Sequence, residues 1–468
     1  MPALLVFLLA AAVEVEGQTF TPLEVPELLE SVDRAFPLLE RARAEGDAAA
    51  GAALESRGAF DVRLKADASA LNGYYSNDRF ETGFDQPVAL FGATLFGGYR
   101  VGRGDFAPYD EKTLTLSGGE WSAGVALPLL RNRAIDERRA GMRRADLGVE
   151  VVSQEVSRLR LQYFREALSA YWDWVAAGQQ LDIVAALLDL AEQRDQDLAT
   201  AVAVGQVAPI ERTENQRAIL NRRAALRLAQ RAVEATAITL SLYYRASDGT
   251  PIRPPVERVP VNLPAPTPLG PGDELEALAE ALQRRPELHG LQARQAQQQI
   301  ETALARNSLL PKLELFADVS RDTGDGRPSR AGSDVAGGLS FELPLQRRRA
   351  SGRQLQALAK LAGLESERRF VTDRIRAEVQ DAASALDAVY TTLDLVRQEV
   401  VLARDLEGLE RDRFALGDST LFLVNLRELN TADAAVREIK ALADYQKARV
   451  ALDAATGRLG DILPTATP

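Results

Sequence analysis

Two stretches of this sequence lack proline and are much longer than the helices of ordinary globular domains: residues 129–208 and 345–463. Proline breaks a helix interior because it lacks an N–H group and clashes with the preceding turn. Within both stretches, apolar or small residues recur at alternating spacings of three and four, which is typical of coiled-coil packing. A helix over residues 134–204 would be about 100 Å long. Few compact domains can contain such a helix, so the sequence predicts an elongated helical structure.

Each long helix is predicted to fold back into a hairpin at a glycine. Gly205 and Gly417 stand where a left-handed C-cap is expected, and Pro209 follows the first of them as a helix-start residue. The expected helical hairpins span residues 133–246 and 349–457.

Four shorter segments alternate between apolar and polar residues, which predicts β-strands with one face of each kind. They are residues 60–70, 120–130, 312–320 and 334–345. Four strands are too few to close a barrel, and open strand edges are not tolerated in lipid. Two alternatives remain: a soluble sheet covered by helices, or a membrane barrel shared by several chains. The long connection between residues 72 and 120 is expected to extend outwards with short strands of its own, and its glycine-rich part, residues 97–110, is interpreted as a loop.

The two halves of the chain repeat the same plan. "VALPLLRNR" ends at Arg133 and "FELPLQRRR" ends at Arg349, and in both an alternating strand passes through Leu-Pro-Leu and arginines into a long helix. The first repeat is assigned to residues 18–250 and the second to residues 273–460, followed by a tail at 461–468. Eight prolines between positions 251 and 271 predict an extended linker over residues 251–272.

The N-terminus and the composition narrow the class of protein. The apolar run from Ala3 to Val13 suits a secretory signal peptide, assigned to residues 1–17, with a buried N-terminal helix as the alternative. No other run is predicted to be a transmembrane helix. The chain has no cysteine, one histidine and a net charge of −11. These properties argue against an enzyme, a metal site or other cofactor, and nucleic acid as a partner.

In the order and spacing of these features the chain resembles the TolC-type outer-membrane efflux proteins (outer membrane factors). The features are the repeat, both strand-to-helix junctions, and the paired turns "VGQVAPIE" and "LGDSTLFLVNL". The resemblance implies a mixed α and β membrane protein: a homotrimer whose twelve-stranded β-barrel in the outer membrane continues into a long periplasmic α-helical barrel. It also implies a passive exit duct of a tripartite efflux or type I secretion system, working with a periplasmic adaptor (membrane fusion protein) and an inner-membrane pump. The alternative function is a soluble periplasmic coiled-coil scaffold or adaptor.

The resemblance also assigns candidate residues. The periplasmic tips that would dock the adaptor comprise Val204, Gly205, Gln206, Leu416, Gly417 and Asp418. The gate is assigned to Glu211, Leu423, Asn425 and Leu426. Relatives often carry aspartates after the second tip glycine, whereas this chain has leucines there, so a hydrophobic gate that closes by dewetting is the hypothesis.

The arginines after each Leu-Pro-Leu are expected near anionic headgroups of the inner leaflet: Arg131, Arg133, Arg347, Arg348 and Arg349. An ordinary solvated helix start is the alternative for them. Trp121 is assigned to an aromatic belt at the membrane interface.

Overall fold

The computed structural model describes residues 13–15 and 18–462. The predicted signal peptide lies outside the described residues, apart from the short strand Val13–Val15 (β1), which pairs with Gln18–Phe20 (β2). The chain forms two compact units. The helical unit comprises residues up to 43, 155–287 and 371 onwards, and the sheet unit comprises residues 44–154 and 288–370.

The main elements follow one another in the same order in both halves, except for an additional pair of strands in the first half. The first half contains α1 (Val25–Ala35), α2 (Pro37–Arg57), β3 (Arg63–Leu71), β4 (Asn77–Pro87), β5 (Thr94–Gly104), β6 (Glu120–Pro128), α3 (Glu137–Ala203) and α4 (Pro209–Leu240). The second half contains α5 (Asp273–Arg284), α6 (Pro286–Asn307), β7 (Lys312–Asp322), β8 (Gly332–Glu342), α7 (Arg348–Ala415) and α8 (Leu421–Thr456).

The larger sheet is a six-stranded antiparallel meander in the order β3-β4-β5-β6-β7-β8. Its strands β3, β6, β7 and β8 lie at the four positions predicted from sequence. The prediction of four strands per chain is nevertheless wrong, because β4 and β5 come from the segment expected to be an outer connection. The loop predicted over residues 97–110 is likewise wrong up to Gly104, where β5 ends. A twelve-stranded trimeric barrel is therefore no longer supported, because that number came from four strands in each of three chains.

The glycines of β5 explain why this strand was missed. Glycine has a low intrinsic preference for strands, so "FGGYRVGRG" gives little strand signal. A Cβ on Gly97 would lie 2.9 Å from Cε1 of the Phe84 ring on β4. The neighbouring aromatic ring thus covers the bare glycine, and pairing on both sides holds β5 in the sheet.

The helical unit has its own apolar core. Phe164 and Trp174 of α3 are fully buried there, and the Tyr171 hydroxyl donates a 2.7 Å hydrogen bond to the carbonyl of Leu23. By length and composition, α3 is the one described helix that could cross a membrane, with a window of mean hydropathy 1.2 that is 33% buried. The same helix also supplies much of this core.

The proline-rich linker is held against the helical unit. The hydroxyl of Tyr445 on α8 both accepts from the Thr267 amide and donates to the Thr267 carbonyl, each at 2.9 Å. The Gln446 side chain donates to the Pro264 carbonyl at 3.1 Å. Apart from one short 3-10 turn at Val256–Arg258, residues 251–272 contain neither helix nor strand, as the prolines predict.

Candidate channel sheet and helix tips

One face of the six-stranded sheet is apolar from edge to edge. Residues directly opposite each other on neighbouring strands share a face, so Leu64 lies beside Phe84, and Val319 lies beside Val335. Val335 is 83% exposed, and the other large side chains of this face are exposed as well: Leu64, Phe80, Phe84, Leu95, Trp121, Leu315, Val319, Leu339 and Phe341. An exposed apolar patch of this extent marks an interaction surface.

The opposite face carries ion pairs across the strands. Asp85 of β4 accepts from Arg63 at 2.5 Å and from Lys65 at 2.6 Å, both on β3. The Nε atom of Arg100 on β5 lies 2.6 Å from Oε2 of Glu120 on β6. Charged side chains paired in this way suit a face that contacts water, as the lumen of a channel does.

Within the sheet unit, no described helix covers the apolar face, whose large side chains are exposed. A soluble α+β protein would have to bury that face to gain the free energy of removing apolar surface from water. The sheet is therefore amphipathic, with its apolar side open, and the first alternative left by the sequence, a covered soluble sheet, is not what the structure has.

Both helix tips end in the same hydrogen-bonded turn. The amide of Gly205 donates to the Val202 carbonyl at 3.0 Å, and the amide of Gln206 donates to the Ala201 carbonyl at 2.9 Å. This is the Schellman pattern, and it requires a left-handed residue, which Gly205 supplies with a φ of +76°. In the second tip, the amide of Gly417, whose φ is +81°, donates to the Phe414 carbonyl at 3.0 Å, and the amide of Asp418 donates to the Arg413 carbonyl at 2.9 Å. The predicted glycine caps are present in both hairpins.

The outermost residues of the two tips are exposed. Val204, Gly205, Gln206, Leu416, Gly417 and Asp418 are all exposed. Beneath them, Leu198, Leu421 and Val424 form a small buried cluster with Val207 and Phe414 packed against it. The tips of the two hairpins thus pack together through apolar contacts, while the residues assigned to adaptor docking remain accessible.

The residues assigned to the gate have different surroundings. Glu211 lies in the first turn of α4 and Leu423 in the first turn of α8, and both are half-buried, whereas Leu426 is 40% exposed. Asn425, which the sequence placed in the gate with them, is only 9% exposed. Its Oδ1 accepts from Arg194 at 2.8 Å and from Arg222 at 3.4 Å. Asn425 therefore belongs to a buried polar cluster inside the chain.

At the centre of that cluster is Glu428, whose side chain has no exposed surface. Its carboxylate is bound by Arg194 of α3, by Arg222 of α4 at 2.9 Å and by Arg411 of α7 at 3.3 Å. Because Glu428 itself lies on α8, this buried carboxylate joins all four long helices. We refer to Arg194, Arg222, Arg411, Asn425 and Glu428 as the Glu428 cluster. Sequence reasoning missed it, and the only signal was a glutamate and an asparagine three residues apart on an otherwise apolar helix face.

The charge state of Glu428 follows from two opposing effects. Burial raises its pKa, but hydrogen bonds and attraction from Arg194 and Arg222 outweigh burial and hold the pKa below its ordinary value of 4.5. The carboxylate is therefore ionised at neutral pH, and the four-helix junction depends on its negative charge.

The arginines after the two Leu-Pro-Leu segments lie at the helix end of the sheet. Arg131 and Arg133 precede α3 in the connecting turn, where the Arg133 guanidinium lies 5.7 Å from the centre of the Phe91 ring. The sequence placed helix in this hairpin from residue 133, and the structure begins it at Glu137. Arg347, Arg348 and Arg349 are all exposed at the start of α7.

Trp121 lies at the other end of the sheet from these arginines. It begins β6, whereas Arg131 and Arg133 follow the end of that strand. Its indole is 60% exposed, and its ring centre lies 4.8 Å from that of Tyr99 on the same apolar face. If the sheet crosses a membrane, Trp121 and the five arginines contact opposite interfaces.

The described residues contain no cluster of three or more histidine, aspartate or glutamate side chains that could hold a metal ion. The sequence profile of the outer membrane efflux protein family matches residues 277–458. No curated protein sequence matches the chain closely enough to count as a relative.

Solved structures match over nearly the full length. The outer-membrane channel OprN superposes with a TM-score of 0.64 at 16% identity, covering 97% of this chain and 98% of OprN. The open state of the Neisseria gonorrhoeae MtrE outer-membrane channel gives 0.63 at 14% identity, covering 94% and 90%. The Campylobacter jejuni CmeC outer-membrane channel gives 0.61 at 13% identity, with the same coverage of 94% and 90%.

These matches confirm the resemblance predicted from the sequence and the predicted location in the outer membrane, and they support an outer-membrane efflux channel. Residues 277–458 match the outer membrane efflux protein family, and the chain as a whole has the fold of solved outer-membrane channels.

Proposed function

We propose that this protein is the exit duct of a tripartite efflux or type I secretion system, carrying substrates passively across the periplasm and the outer membrane. One observation carries the proposal: the sheet has an open apolar face and an ion-paired polar face. Lipid suits the first face and an aqueous lumen the second. The sheet strands are 9 to 11 residues long, the length at which a tilted strand spans a bilayer.

The functional form is a homotrimer in this proposal. A single sheet would leave the backbone groups of β3 and β8 unpaired in lipid, where each unpaired group costs several kcal/mol. One apolar stripe of α7 is also uncovered: Leu402, Leu406 and Leu409 lie on one face of this helix and are between 46% and 63% exposed. Neighbouring copies would pair the sheet edges and cover this stripe. Three copies would place twelve long helices in a shared periplasmic barrel built from the twofold repeat.

The partners are a periplasmic adaptor and an inner-membrane pump. The chain has no phosphate-binding motif, so the energy for export would come from the pump. The exposed tip residues, among them Val204 and Leu416, are accessible to an adaptor, and their two glycine turns present the same backbone shape twice.

The gate is proposed to close by dewetting between Leu423 and Leu426 of the three copies. Glu211 is the nearby acid that could instead make the constriction cation-sensitive. Wild-type channels and the Glu211→Ala variant would be compared in planar bilayers with divalent cations on the periplasmic side. Weak block in both supports the hydrophobic gate. Strong block of the wild type that disappears in the variant would contradict it.

The main test is the native mass of the protein extracted from the envelope, with and without detergent. A particle near three times 50.9 kDa that requires detergent and comes from the outer-membrane fraction is expected. A water-soluble monomer or dimer from the periplasmic fraction would overturn the duct and favour a soluble scaffold or adaptor.

A further inference from the structure

We propose that the β4–β5 hairpin lies in the membrane wall of the channel, so that each copy contributes six transmembrane strands and a trimer contributes eighteen. The inference rests on the proposed function, in that it takes the sheet to face lipid and the assembly to be a trimer. It replaces the twelve-stranded barrel that the family resemblance implied.

The first argument is that β4 and β5 span the same height of the sheet as their neighbours. Along β3, pairing with β4 extends from Arg63 opposite Asp85 to Leu71 opposite Asn77. Strand β5 pairs with the whole of β4 and then with β6, up to Arg100 opposite Glu120. Residues 101–104 of β5 continue past the start of β6 at Glu120, but they stay paired with β4, whose first residue, Asn77, lies opposite Leu71 at the end of β3.

The second argument is the position of the turn between β4 and β5. A Cβ on Gly92 in this turn would lie 2.6 Å from the carbonyl oxygen of Asn132, which is in the connection to α3. Phe91 of the same turn contacts the Arg133 guanidinium. The hairpin therefore crosses the full height of the sheet and returns, with its turn at the helix end. A loop that extended outside the cell would have its turn at the opposite end.

The third argument is that both faces of the sheet continue through the hairpin. On the apolar side, Phe80 of β4 lies between Ala68 of β3 and Val101 of β5. On the polar side, Glu81 of β4 lies between Asp67 and Arg100. Lipid in contact with β3 and β6 would therefore also contact β4 and β5, because nothing interrupts the apolar face between them.

The fourth argument is that the six-stranded sheet can close with copies of itself. An even number of strands in a meander leaves β3 and β8 antiparallel, so β8 of one copy can pair with β3 of the next in the same alternating sense. Both edge strands are exposed along nearly their whole length. With strands about 4.8 Å apart and tilted by about 40°, eighteen strands form a barrel of about 18 Å backbone radius, against about 12 Å for twelve.

The test uses the absence of native cysteine from the chain. Single variants Arg79→Cys, Phe80→Cys, Glu81→Cys and Thr82→Cys place a thiol on alternate faces of β4. Trimers in outer-membrane vesicles would be treated with a membrane-impermeant maleimide, which reacts with the thiolate only in water. Labelling of the Arg79→Cys and Glu81→Cys variants is expected to be at least about tenfold faster than labelling of the other two.

Matched variants on β7 separate this inference from the proposed function. Asp318→Cys lies on the polar face and Val319→Cys on the apolar face. If labelling alternates on both β4 and β7, eighteen strands are supported. If it alternates on β7 but is uniformly fast on β4, the hairpin lies outside the membrane and the inference is overturned, while the duct stands. If β7 also labels uniformly, the sheet does not face lipid and the proposed function fails.

Only variants that keep the native mass of the wild type in detergent would be scored. Should a substitution on β4 prevent assembly, Arg100→Cys and Val101→Cys on β5 provide the same comparison between the two faces.

Discussion

Replacing Glu428 with glutamine should weaken the junction of the four long helices. The carboxylate has no exposed surface, and the Arg222 side chain that binds it at 2.9 Å is only 7% exposed. Removing one partner of a buried ion pair costs about 3–5 kcal/mol because the other charge is left uncompensated. Glutamine keeps one hydrogen-bond acceptor, so the lower end, about 3 kcal/mol, is expected for Glu428→Gln.

Hydrogen exchange measures this loss where it occurs. Amides of α8 around Glu428 exchange through local opening, and a loss of about 3 kcal/mol corresponds to exchange faster by about two orders of magnitude. The backbone of α3 around Arg194 should show the same acceleration, because the cluster joins both helices. Amides of the sheet unit should be unaffected.

The control is Glu399→Gln, which removes an ion pair between α7 and Arg437 of α8 at 2.6 Å. Both side chains of that pair are 50% exposed. Solvent-exposed pairs contribute about 0.2–1 kcal/mol, so exchange should increase only several-fold. If Glu428→Gln and Glu399→Gln accelerate exchange equally, the argument from burial is refuted, and the Glu428 cluster does not hold the junction.

Three further predictions concern the same helices. Folding lowers the pKa of Glu428, so its contribution to stability is present above the ordinary value of 4.5 and is lost as the pH falls through the folded value. Hydrogen exchange of α8 amides, corrected for its intrinsic pH dependence, should therefore accelerate below the folded pKa in the wild type. It should not accelerate in this way in Glu428→Gln. Gly417→Ala should destabilise the second tip by about 1–2 kcal/mol, because the φ of Gly417 is +81°. The control Gly408→Ala, in the interior of α7, should stabilise that helix by about 0.5–1 kcal/mol. Shifts of the melting temperature with the same sign in both variants would contradict the role of Gly417 as a left-handed helix cap. Tyr445→Phe should lower the stability of the linker attachment by about 1 kcal/mol, because the hydroxyl no longer binds Thr267. Faster proteolysis of residues 251–272 is expected in this variant. Unchanged cleavage would contradict the prediction.

Much of the architecture could be predicted because it depends on local patterns. The proline-free stretches, the 3-4 spacing and the two glycines place α3, α4, α7 and α8 within a few residues of their observed bounds, because helix formation and capping depend on neighbours in sequence. The four alternating strands were found for the same reason. Strand β4 alternates as well, with Phe80, Thr82 and Phe84 on one side, but the glycines of β5 conceal its pairing partner.

The candidate site was less predictable because it depends on how distant helices face each other. The tip glycines were identified from local sequence alone. Asn425 was assigned to the gate from its position beside Leu423 and Leu426, yet its surroundings are set by Arg194 and Arg222, more than two hundred residues away. No pattern within α8 shows that a glutamate three residues later will be enclosed by arginines from three other helices.

The additional hairpin also suggests how such a sheet could enlarge during evolution. Inserting β4 and β5 between β3 and β6 adds two strands in the interior of the meander and leaves the edge strands β3 and β8 with their original directions. A subunit could therefore acquire a wider wall without altering the surfaces by which it recognises its neighbours. Growth by whole hairpins preserves assembly, whereas gain of a single strand would reverse one edge and require a new interface.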